Sequence, residues 1–393
     1  MKIPGFLKLT FWKAVAIVFI GIGLAATVQR FAMGLGAVTN LRDDFPWGLW
    51  IGFDILVGVG LAAGGFLIAA TVYVFNLERF RPILRPTILT AFLGYVLVIV
   101  GLMIDLGRPW AIWHALIMWN PKSVMFEVAW CVMLYTTVLA LEFSPVVFER
   151  FKMHLPLKII KSITIPLVIA GVILSTLHQS SLGSLFLVVP TRMHPLWYSE
   201  LLPFLFIISC VAAGLSMTIV ESFLSSRAFG REIEMPLLTD LSRVIVVVLA
   251  LYFTVRIQDL INRDALKYAL ELSYQSILFF GEIFLGVVVP MVVLLFRKIR
   301  TSRGGLFFAA TFAVLGFIAH RVNVAVTSME QWGTRQYVPS VQEFFISAAL
   351  VAAGIAIFGV VARYFNVFDH AHAPAEPQEV GAGAAEPAPA PAE

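Results

Sequence analysis

The sequence contains little charge. Asp, Glu, Lys and Arg make up only 13% of its 393 residues, whereas 60% are hydrophobic and the mean hydropathy is +0.89. A soluble domain carries about 25% charged residues, so a soluble fold of this composition would expose a large apolar surface to water. The composition therefore predicts a protein whose solvent is the lipid bilayer. The net charge of +4 does not indicate a nucleic-acid partner, because the basic residues lie in short clusters between apolar segments.

Cysteine and histidine are also scarce. The two cysteines, Cys131 and Cys210, lie within apolar runs and have no spacing typical of a disulfide framework, an Fe–S cluster or a zinc site. A membrane b-type haem needs axial histidines on facing helices, and of seven histidines only His178 and His320 touch apolar segments. We therefore expect no haem and no bound metal ion. The sequence also has no nucleotide-binding motif, so any electrons would have to come from a partner protein docked close by.

Long apolar runs are abundant and predict about ten transmembrane helices in an all-α polytopic membrane protein, each long enough to cross a hydrocarbon core of ~30 Å. The first run follows Lys2, Lys8 and Lys13 and is longer than the core of a signal peptide, so it predicts a retained span. Residues 370–393 are rich in Ala, Pro and Glu and predict a disordered tail. Within residues 1–369 the predicted spans are 13–33, 47–75, 86–106, 123–143, 158–177, 199–223, 240–262, 274–296, 305–328 and 340–364.

The distribution of Lys and Arg predicts the orientation in the membrane. One set of loops and span ends holds 18 of the 28 basic residues, the opposite set holds 7, and Arg30, Arg256 and Arg321 lie within spans. The basic set consists of the two termini and the segments around 76–85, 144–157, 224–239 and 297–304. Because basic loops stay in the cytoplasm, both termini are predicted to be cytoplasmic. The opposite side carries the longest connection, 178–198, and a Trp-rich stretch from Pro109 to Pro121 that is either an interfacial belt or a docking surface.

Several charged residues lie in or beside the spans, although each costs about 2.5–3.5 kcal/mol on insertion scales and therefore suggests a function. One group lies near the non-cytoplasmic ends of spans 2 to 5. It can be an ion pair between Asp105 and Arg108 with satisfied polar neighbours, or it can be a pocket for a quinone headgroup. A quinone needs hydrogen-bond partners at two carbonyls and a source of protons, and carboxylates and histidine supply both. The candidate quinone-binding residues are Trp47, Trp50, Asp54, Asp105, Arg108, Glu127 and His178.

Two further polar groups allow alternative interpretations. Glu142 and Glu221 are either interfacial glutamates with solvent access or, with Glu127 and the mid-membrane Tyr95, members of a proton-transfer route. The last group belongs to spans 7 to 10, where an Arg256–Asp259 pair would indicate buried charge compensation. The alternative for that group is a second proton or ion route. Its members are Arg256, Asp259, Glu282, His320, Arg321 and Glu343.

The sequence resembles the NrfD/PsrC family of quinone-interacting membrane subunits. Within this family it is most similar to the membrane subunits of the hydrogenase-2 type of [NiFe] enzyme. The resemblance covers about residues 15–365, and its most specific parts are the Phe-Pro-Trp-Gly and His-Gln-Ser-Ser runs. The resembling runs are 45–54 with its Gly-rich continuation to 76, 105–108, 123–127, 140–143, 178–185 and 194–197.

The resemblance implies a fold and a set of functional positions. The expected fold has two four-helix bundles, spans 2–5 and spans 6–9, with spans 1 and 10 at the periphery. A quinone site is expected in the first bundle near the periplasmic face of a bacterial inner membrane. Asp54, Glu127 and His178 match positions implicated around the quinone, and Tyr95 and Glu221 match positions implicated in proton transfer.

The resemblance also implies partners and a substrate. The chain would bind an exchangeable menaquinone or ubiquinone and would hold no catalytic metal itself. Its partners would be a periplasmic ferredoxin-like Fe–S subunit and the small and large [NiFe] hydrogenase subunits. Dihydrogen would be oxidised outside the membrane, electrons would reach the quinone through the Fe–S clusters, and this reaction could be coupled to proton transfer across the membrane.

Two alternatives remain at this point. The same role in a polysulfide, nitrite or sulfoxide enzyme of the family is one of them. An ion-coupled secondary transporter is the other, and it would favour inverted repeats and helices broken near the midplane. The sequence shows neither feature clearly, and its first polar group lies toward one face of the membrane.

Overall fold

The computed structural model describes residues 10–45, 47–332 and 336–368. Within these ranges ten helices are long and apolar enough to cross a membrane, and no β-strand is formed. The prediction of an all-α polytopic membrane protein is therefore confirmed. Lys2, Lys8, Pro46, Arg335 and the 370–393 tail, all used in the sequence predictions, lie outside the described residues.

Each of the ten helices overlaps one of the ten predicted spans. They are α1 Phe11–Met33, α2 Trp50–Tyr73, α3 Glu78–Asp105, α4 Val124–Arg150, α5 Thr164–Val188, α6 Leu202–Phe229, α7 Met235–Asn262, α8 Tyr274–Leu295, α9 Arg303–Glu330 and α10 Val341–Tyr364. Two of them contain a π-helical segment, at Trp50–Ile55 in α2 and at Phe284–Val288 in α8. A π-helical segment shifts the phase of the side chains, and such segments are frequent at functional sites.

The largest boundary difference concerns the fifth span. The sequence predicts it at 158–177, but the structure begins α5 at Thr164 and places a separate short helix, His154–Ser162, before it. This short helix is amphipathic, with Ile160 buried and Lys158 and Lys161 exposed. Because one face of this helix is apolar, its sequence resembles the beginning of a transmembrane span.

The helices form two four-helix bundles. The first bundle consists of α2 to α5, each packed on its neighbours, and the second consists of α6 to α9 in the same manner. The peripheral helices α1 and α10 pack on each other and, through α10, on α3. The bundles meet where α5 and α2 contact α6 and where α2 contacts α9. This is the arrangement that the family resemblance implied.

The two ends of the bundles differ in their connections. We call the end with residues 106–123 and 189–201 the long-loop end, and the end with residues 151–163 and 230–234 the basic end. The predicted orientation places the long-loop end on the periplasmic side. The Trp-rich stretch lies at this end, where the side chains of Trp110, Trp113 and Trp119 are exposed.

Glycines set the closest helix crossings. A Cβ atom added to Gly214 of α6 would lie 2.5 Å from the backbone nitrogen of Gly64 in α2, so the two bundles touch backbone to backbone there. A Cβ atom on Gly60 would lie 2.1 Å from the Phe317 ring of α9. The Gly60-x-x-x-Gly64 pattern therefore permits the close approach typical of small residues at membrane helix contacts.

The 189–201 connection is anchored by a buried histidine. His194 lies against the rings of Trp197 and Tyr268, and its Nδ1 accepts a hydrogen bond of 3.2 Å from the Leu196 amide. Burial lowers the pKa of His194, although the nearby Glu271 carboxylate opposes this shift. The folded state therefore favours the neutral ring.

This buried histidine predicts a pH dependence of stability. Because the pKa of His194 is lower in the folded state than the usual value of about 6.5, its stabilising contribution is present above that value and is lost as the pH falls below it. Thermal unfolding in detergent, followed by Trp fluorescence, is expected to show a falling midpoint between about pH 7.5 and about pH 5.5. His194→Asn should reduce this drop because it cannot titrate there. An identical drop in both proteins would contradict the assignment to His194.

Candidate functional site

A histidine–tyrosine pair occupies the core of the first bundle. His178 of α5 and Tyr95 of α3 are both fully buried, and the Tyr95 hydroxyl lies 2.9 Å from Nδ1 of His178. The ring of Tyr135 from α4 packs edge-on against Tyr95 with centroids 4.7 Å apart. The hydroxyls of both tyrosines face Ser175, one turn before His178. Three helices thus bring four polar side chains together.

The centre of this bundle has polar atoms without partners. His178 Nε2, the Tyr135 hydroxyl and both the nitrogen and the oxygen of the Gln179 amide are buried and make no hydrogen bond within the described residues. A buried polar atom without a partner costs about 1–3 kcal/mol, so such atoms are normally satisfied by water or by a ligand. The first bundle therefore contains, at His178 and Gln179, polar atoms that a water molecule or a ligand would satisfy.

One face of α4 leads from this centre to both membrane surfaces. Glu127, Cys131, Tyr135 and Glu142 follow each other at intervals of four, four and seven residues, which places them on one side of a helix. Glu127 is exposed in the first turn at the long-loop end. Glu142 lies toward the basic end, beside Gly171 of α5, and one of its oxygens is buried without a partner. The face carries titratable groups above and below the Tyr95–His178 pair.

The long-loop end of the first bundle is covered by aromatic residues. Trp47 precedes α2 and packs edge-on against Phe186 at the end of α5, with centroids 5.5 Å apart. Phe186 in turn contacts Phe206 of α6. Trp47 therefore lies above the His178 region.

Trp50 and Asp54, which the sequence analysis grouped with Trp47 as candidate quinone-binding residues, face away from that region. The Ser347 hydroxyl of α10 donates a 2.6 Å hydrogen bond to Asp54 Oδ2, and the Trp50 indole donates to the Glu343 carbonyl at 3.2 Å. The reason is that α2 begins only at Trp50 and starts with a π-helical segment, so Trp47 is not in register with the helix. We call Trp50, Asp54, Asp105, Arg30, Glu343 and Ser347 the peripheral cluster.

The peripheral cluster attaches α1 and α10 to the first bundle. Arg30 of α1 donates to the backbone carbonyls of Ile104 and Leu106 at the end of α3, close to the Asp105 carboxylate. The Glu343 carboxylate accepts from the amides of Asn40 and Ser340 at 3.0 and 2.7 Å. These bonds connect three helices with the loop before α2.

Tyr337 completes this attachment. Its hydroxyl donates to Glu343 Oε1 and accepts a 3.0 Å hydrogen bond from the Leu49 amide. Burial and the hydrogen bond to the Glu343 carboxylate raise the pKa of Tyr337 well above its ordinary value, so the phenol remains protonated. Glu343, which the sequence grouped with a possible proton route, is thus engaged in fixing α10.

Two further sequence predictions concern Arg108 and Glu221. The Asp105–Arg108 ion pair, one of the two interpretations of the first polar group, is not formed among the described residues, and Arg108 is exposed. Glu221 of α6 is buried at the junction of α2, α3 and α6, and neither carboxylate oxygen has a partner among the described residues. It borders a small cavity of about 10 Å³ that Thr90 and Thr218 also line. This cavity is separate from the His178 region.

The predicted Arg256–Asp259 pair is wrong. Asp259 forms its ion pair with Arg263 at 2.6 Å and accepts from the Ser199 hydroxyl at 2.9 Å. Arg256 instead donates to the carbonyl of Leu196 at 2.6 Å. Because Arg263 lies four residues after Asp259, its Nε and Nη2 each reach one carboxylate oxygen, and Asp259 pairs with Arg263 rather than with Arg256, three residues before it.

The structure therefore divides the seven candidate quinone-binding residues. His178, Trp47 and Glu127 belong to the first bundle with Tyr95 and Glu142, whereas Trp50, Asp54 and Asp105 belong to the peripheral cluster and Arg108 to the surface. Sequence reasoning missed several polar neighbours. The seven- and eight-residue spacing of Tyr135 from the two glutamates and the three-residue spacing of Ser175 from His178 were available as signals. The missed residues are Tyr135, Ser175, Gln179, Arg30, Tyr337 and Ser347.

Comparison with known proteins gives a consistent result. The family described as "Polysulphide reductase, NrfD" matches residues 37–331. A Nitratidesulfovibrio vulgaris protein without a functional name is 38% identical, over 89% of this chain and 92% of that protein. The probable Ni/Fe-hydrogenase 2 b-type cytochrome subunit of Escherichia coli is 36% identical, over 86% and 88%. The integral membrane subunit of a menaquinone reductase from N. vulgaris is 27% identical, over 92% of each chain. The chain belongs to the NrfD family.

Proposed function

We propose that this chain is the quinone-reactive membrane subunit of an oxidoreductase complex and binds the quinone headgroup in the first bundle, beside His178 and Gln179. The observation that carries the proposal is the set of buried, unpartnered polar atoms at these two residues. A quinone headgroup offers two carbonyl acceptors, and its reduced form offers two hydroxyl donors. Gln179 can donate and accept, and the imidazole can do either according to its tautomer.

The Tyr95 hydroxyl orients the imidazole. When this hydroxyl donates to Nδ1 at 2.9 Å, the neutral ring carries its hydrogen on Nε2 and can donate it to a quinone oxygen. Once the ring is protonated at both nitrogens, transfer of the Nε2 proton to the reduced quinone leaves a neutral imidazole, which must then be reprotonated. Histidine suits this role because its proton moves near neutral pH. Tyr95 acts as a positioning residue, since the quinone contacts the imidazole.

The α4 face supplies a proposed route for replacement protons. Glu142 at the basic end and Glu127 at the long-loop end lie on the same face as Tyr135, which contacts Tyr95. Water molecules between these groups would complete the route. Glu221, beside its own small cavity at the contact between the bundles, is proposed as a second entrance from the basic end.

Electrons are proposed to come from a partner at the long-loop end. The relative from E. coli is named as a subunit of a Ni/Fe-hydrogenase, and the 27% identical relative from N. vulgaris is named as a subunit of a menaquinone reductase. We therefore infer a hydrogenase complex in a bacterial inner membrane, with the long-loop end periplasmic and the termini cytoplasmic. Its other members would be a ferredoxin-like Fe–S subunit and the small and large [NiFe] subunits. The substrate would be menaquinone or ubiquinone.

We propose that the chain holds no haem, although the E. coli relative is named a b-type cytochrome subunit. The support is the position of the two buried span histidines. His178 belongs to the first bundle and His320 to the second, and α6 lies between them with Phe206 packed 6.0 Å from the His320 ring. Two axial ligands must face each other across one porphyrin, and these two histidines do not.

Purification of the complex tests the proposed function. The chain, tagged at one terminus, is isolated from native membranes with mild detergent, its partners are identified by mass spectrometry, and reduction of a soluble menaquinone analogue is measured with dihydrogen. We expect [NiFe] and Fe–S subunits and hydrogen-dependent quinone reduction. A complex containing a polysulfide, nitrite or sulfoxide enzyme instead would replace the hydrogenase assignment and keep the quinone role. A complex that reduces dyes but not quinone would overturn the quinone role.

A further inference from the structure

The second bundle contains a buried carboxylate–imidazole pair. Glu282 of α8 lies 2.8 Å from Nδ1 of His320 in α9 through its Oε1 atom. Its other oxygen accepts from the Trp197 indole at 2.9 Å and from the Asn323 amide at 2.8 Å. Glu282 and His320 are 2% and 3% exposed, so both are removed from solvent. A buried carboxylate with three hydrogen-bond partners would be costly to maintain for packing alone.

This pair borders a cavity. The cavity has a volume of about 20 Å³, which is enough for a water molecule, and its polar lining comes from Ser209, Tyr252, Glu282 and His320. The Tyr252 hydroxyl and His320 Nε2 are buried and make no hydrogen bond among the described residues. A water molecule in the cavity would satisfy both atoms, and it would give the imidazole a partner with which to exchange a proton.

Two buried arginines surround the pair. Arg321 of α9 donates to the Phe206 carbonyl and the Ser209 hydroxyl at 3.1 Å and lies over the Phe206 ring at 3.5 Å. Arg256 of α7 approaches Glu282 from the other side. The nearby Asp259 is neutralised by Arg263, so Glu282 is the carboxylate that compensates these two guanidinium groups. With a neutral His320 the cluster has an excess of one positive charge.

The excess positive charge makes proton binding by His320 depend on the charged groups around it. Glu282 favours a protonated His320, whereas Arg256 and Arg321 oppose it, and charges interact strongly in a low-dielectric interior. Cys210 of α6 lies between the bundles, facing Arg321 on one side and Tyr95 on the other. The Glu282–His320 pair and the His178 region therefore lie on opposite sides of the helix α6.

Polar side chains continue from the Glu282–His320 pair toward the long-loop end. Toward the long-loop end, Asn323 accepts a hydrogen bond from Thr327 at 3.0 Å, and Trp197 leads to His194 in the 189–201 connection. Toward the basic end, the cavity lining is apolar, and the backbones of Gly286 and Gly316 touch where α8 and α9 cross. The apolar lining residues there include Leu249, Val287 and Ala313.

We propose that Glu282, His320 and the cavity water form a second proton-binding site that exchanges protons with the long-loop side. The Nδ1 hydrogen of His320 is held by Glu282, and Nε2 accepts a proton from a hydronium ion delivered through the cavity, which leaves water and an imidazolium. Release follows the reverse path. The site goes beyond the quinone role and does not require it, since it lies in the other bundle and involves no electron transfer.

Infrared difference spectroscopy on the purified full chain in lipid nanodiscs tests this site without its redox partners. Spectra recorded between about pH 5 and about pH 8, the range in which histidine titrates, are expected to contain a reversible imidazole signal with a simultaneous carboxylate change. Glu282→Gln should remove the carboxylate change, and His320→Gln should remove that change together with the part of the imidazole signal that accompanies it. His194→Asn is the matched control and should retain both, because it removes a different buried histidine.

Two milder variants keep the test decisive if Glu282→Gln or His320→Gln does not assemble. Tyr252→Phe breaks no hydrogen bond among the described residues and should shift the midpoint of the signal, because the cavity water loses a partner. Ala313→Leu fills the cavity and should slow hydrogen–deuterium exchange of the imidazole signal. Superimposable spectra for wild type and His320→Gln, or an unchanged midpoint and exchange rate in the two milder variants, would overturn the proposal.

Discussion

Replacement of His178 by alanine is expected to lower quinone reduction by the assembled complex at least about 100-fold, the lower range for loss of a positioned acid–base group. The imidazole is fully buried, and its unpartnered Nε2 is the proposed donor to the quinone oxygen. Alanine removes that donor and also leaves the Tyr95 hydroxyl without its 2.9 Å partner. The rate is measured with dihydrogen and a menaquinone analogue, and reduction of an artificial dye by the catalytic subunits should persist.

Matched variants separate chemistry from folding. Thr176→Ala lies two residues away on α5, and its hydroxyl bonds only to the carbonyls of its own helix at Val172 and Ile173, so it should retain the full rate. Tyr95→Phe keeps the ring and removes the positioning hydroxyl, and a smaller loss is expected. Glu127→Gln tests the proton route at the long-loop end and should slow quinone reduction without affecting dye reduction. Full quinone reduction in His178→Ala would show that the headgroup binds elsewhere, the peripheral cluster being the obvious alternative.

The spans could be predicted from the sequence because a bilayer imposes one requirement on every helix. Each must present about 20 apolar residues, and loops must collect the basic ones. The boundaries differed where a second physical requirement acted on the same residues. The 154–162 segment is apolar on one face only, so it became a separate amphipathic helix before α5. Composition describes how many residues are apolar and does not describe which way they face.

The candidate site could be predicted only in part, for the same reason. His178 and Tyr95 meet because both lie in the interior of the first bundle, and family resemblance pointed to these positions. Asp54 faces α10 instead, because the π-helical turn at Trp50–Ile55 changes the direction of its side chain. A π-helical turn depends on packing against neighbouring helices and has no clear pattern in a single sequence.

Charge pairing was the least predictable feature. Residues three or four positions apart on a helix can pair equally well in isolation, so the Arg256–Asp259 and Asp105–Arg108 pairs were reasonable expectations. In the fold, Arg256 donates a hydrogen bond to the Leu196 carbonyl of the 189–201 connection, and Asp105 faces Arg30 of α1. Each competing partner is more than 50 residues away in sequence, at a distance that only the tertiary structure reveals.

Gly316→Val is expected to disrupt the second bundle, with a cost of about 3 kcal/mol or more, at or above the upper range for overpacking. A Cβ atom at position 316 would lie 2.1 Å from the Cα of Gly286, and backbone atoms cannot move aside as a flexible side chain can. The helices α8 and α9 would have to separate, which removes the Glu282–His320 contact that joins them. In lipid, close packing rather than hydrophobic burial holds helices together, so the lost contact has no substitute.

Thermal stability in detergent and the fraction of monodisperse protein in size-exclusion chromatography measure this effect. Gly359→Val in α10 is the matched control, because a Cβ atom there meets nothing within 4 Å, and it should behave as wild type. Gly21→Val in α1 should do the same. All three changes add the same isopropyl group to a membrane helix, and only at position 316 does this group overlap the backbone of another helix. Equal stability of the three variants would mean that α8 and α9 cross farther apart than this contact requires.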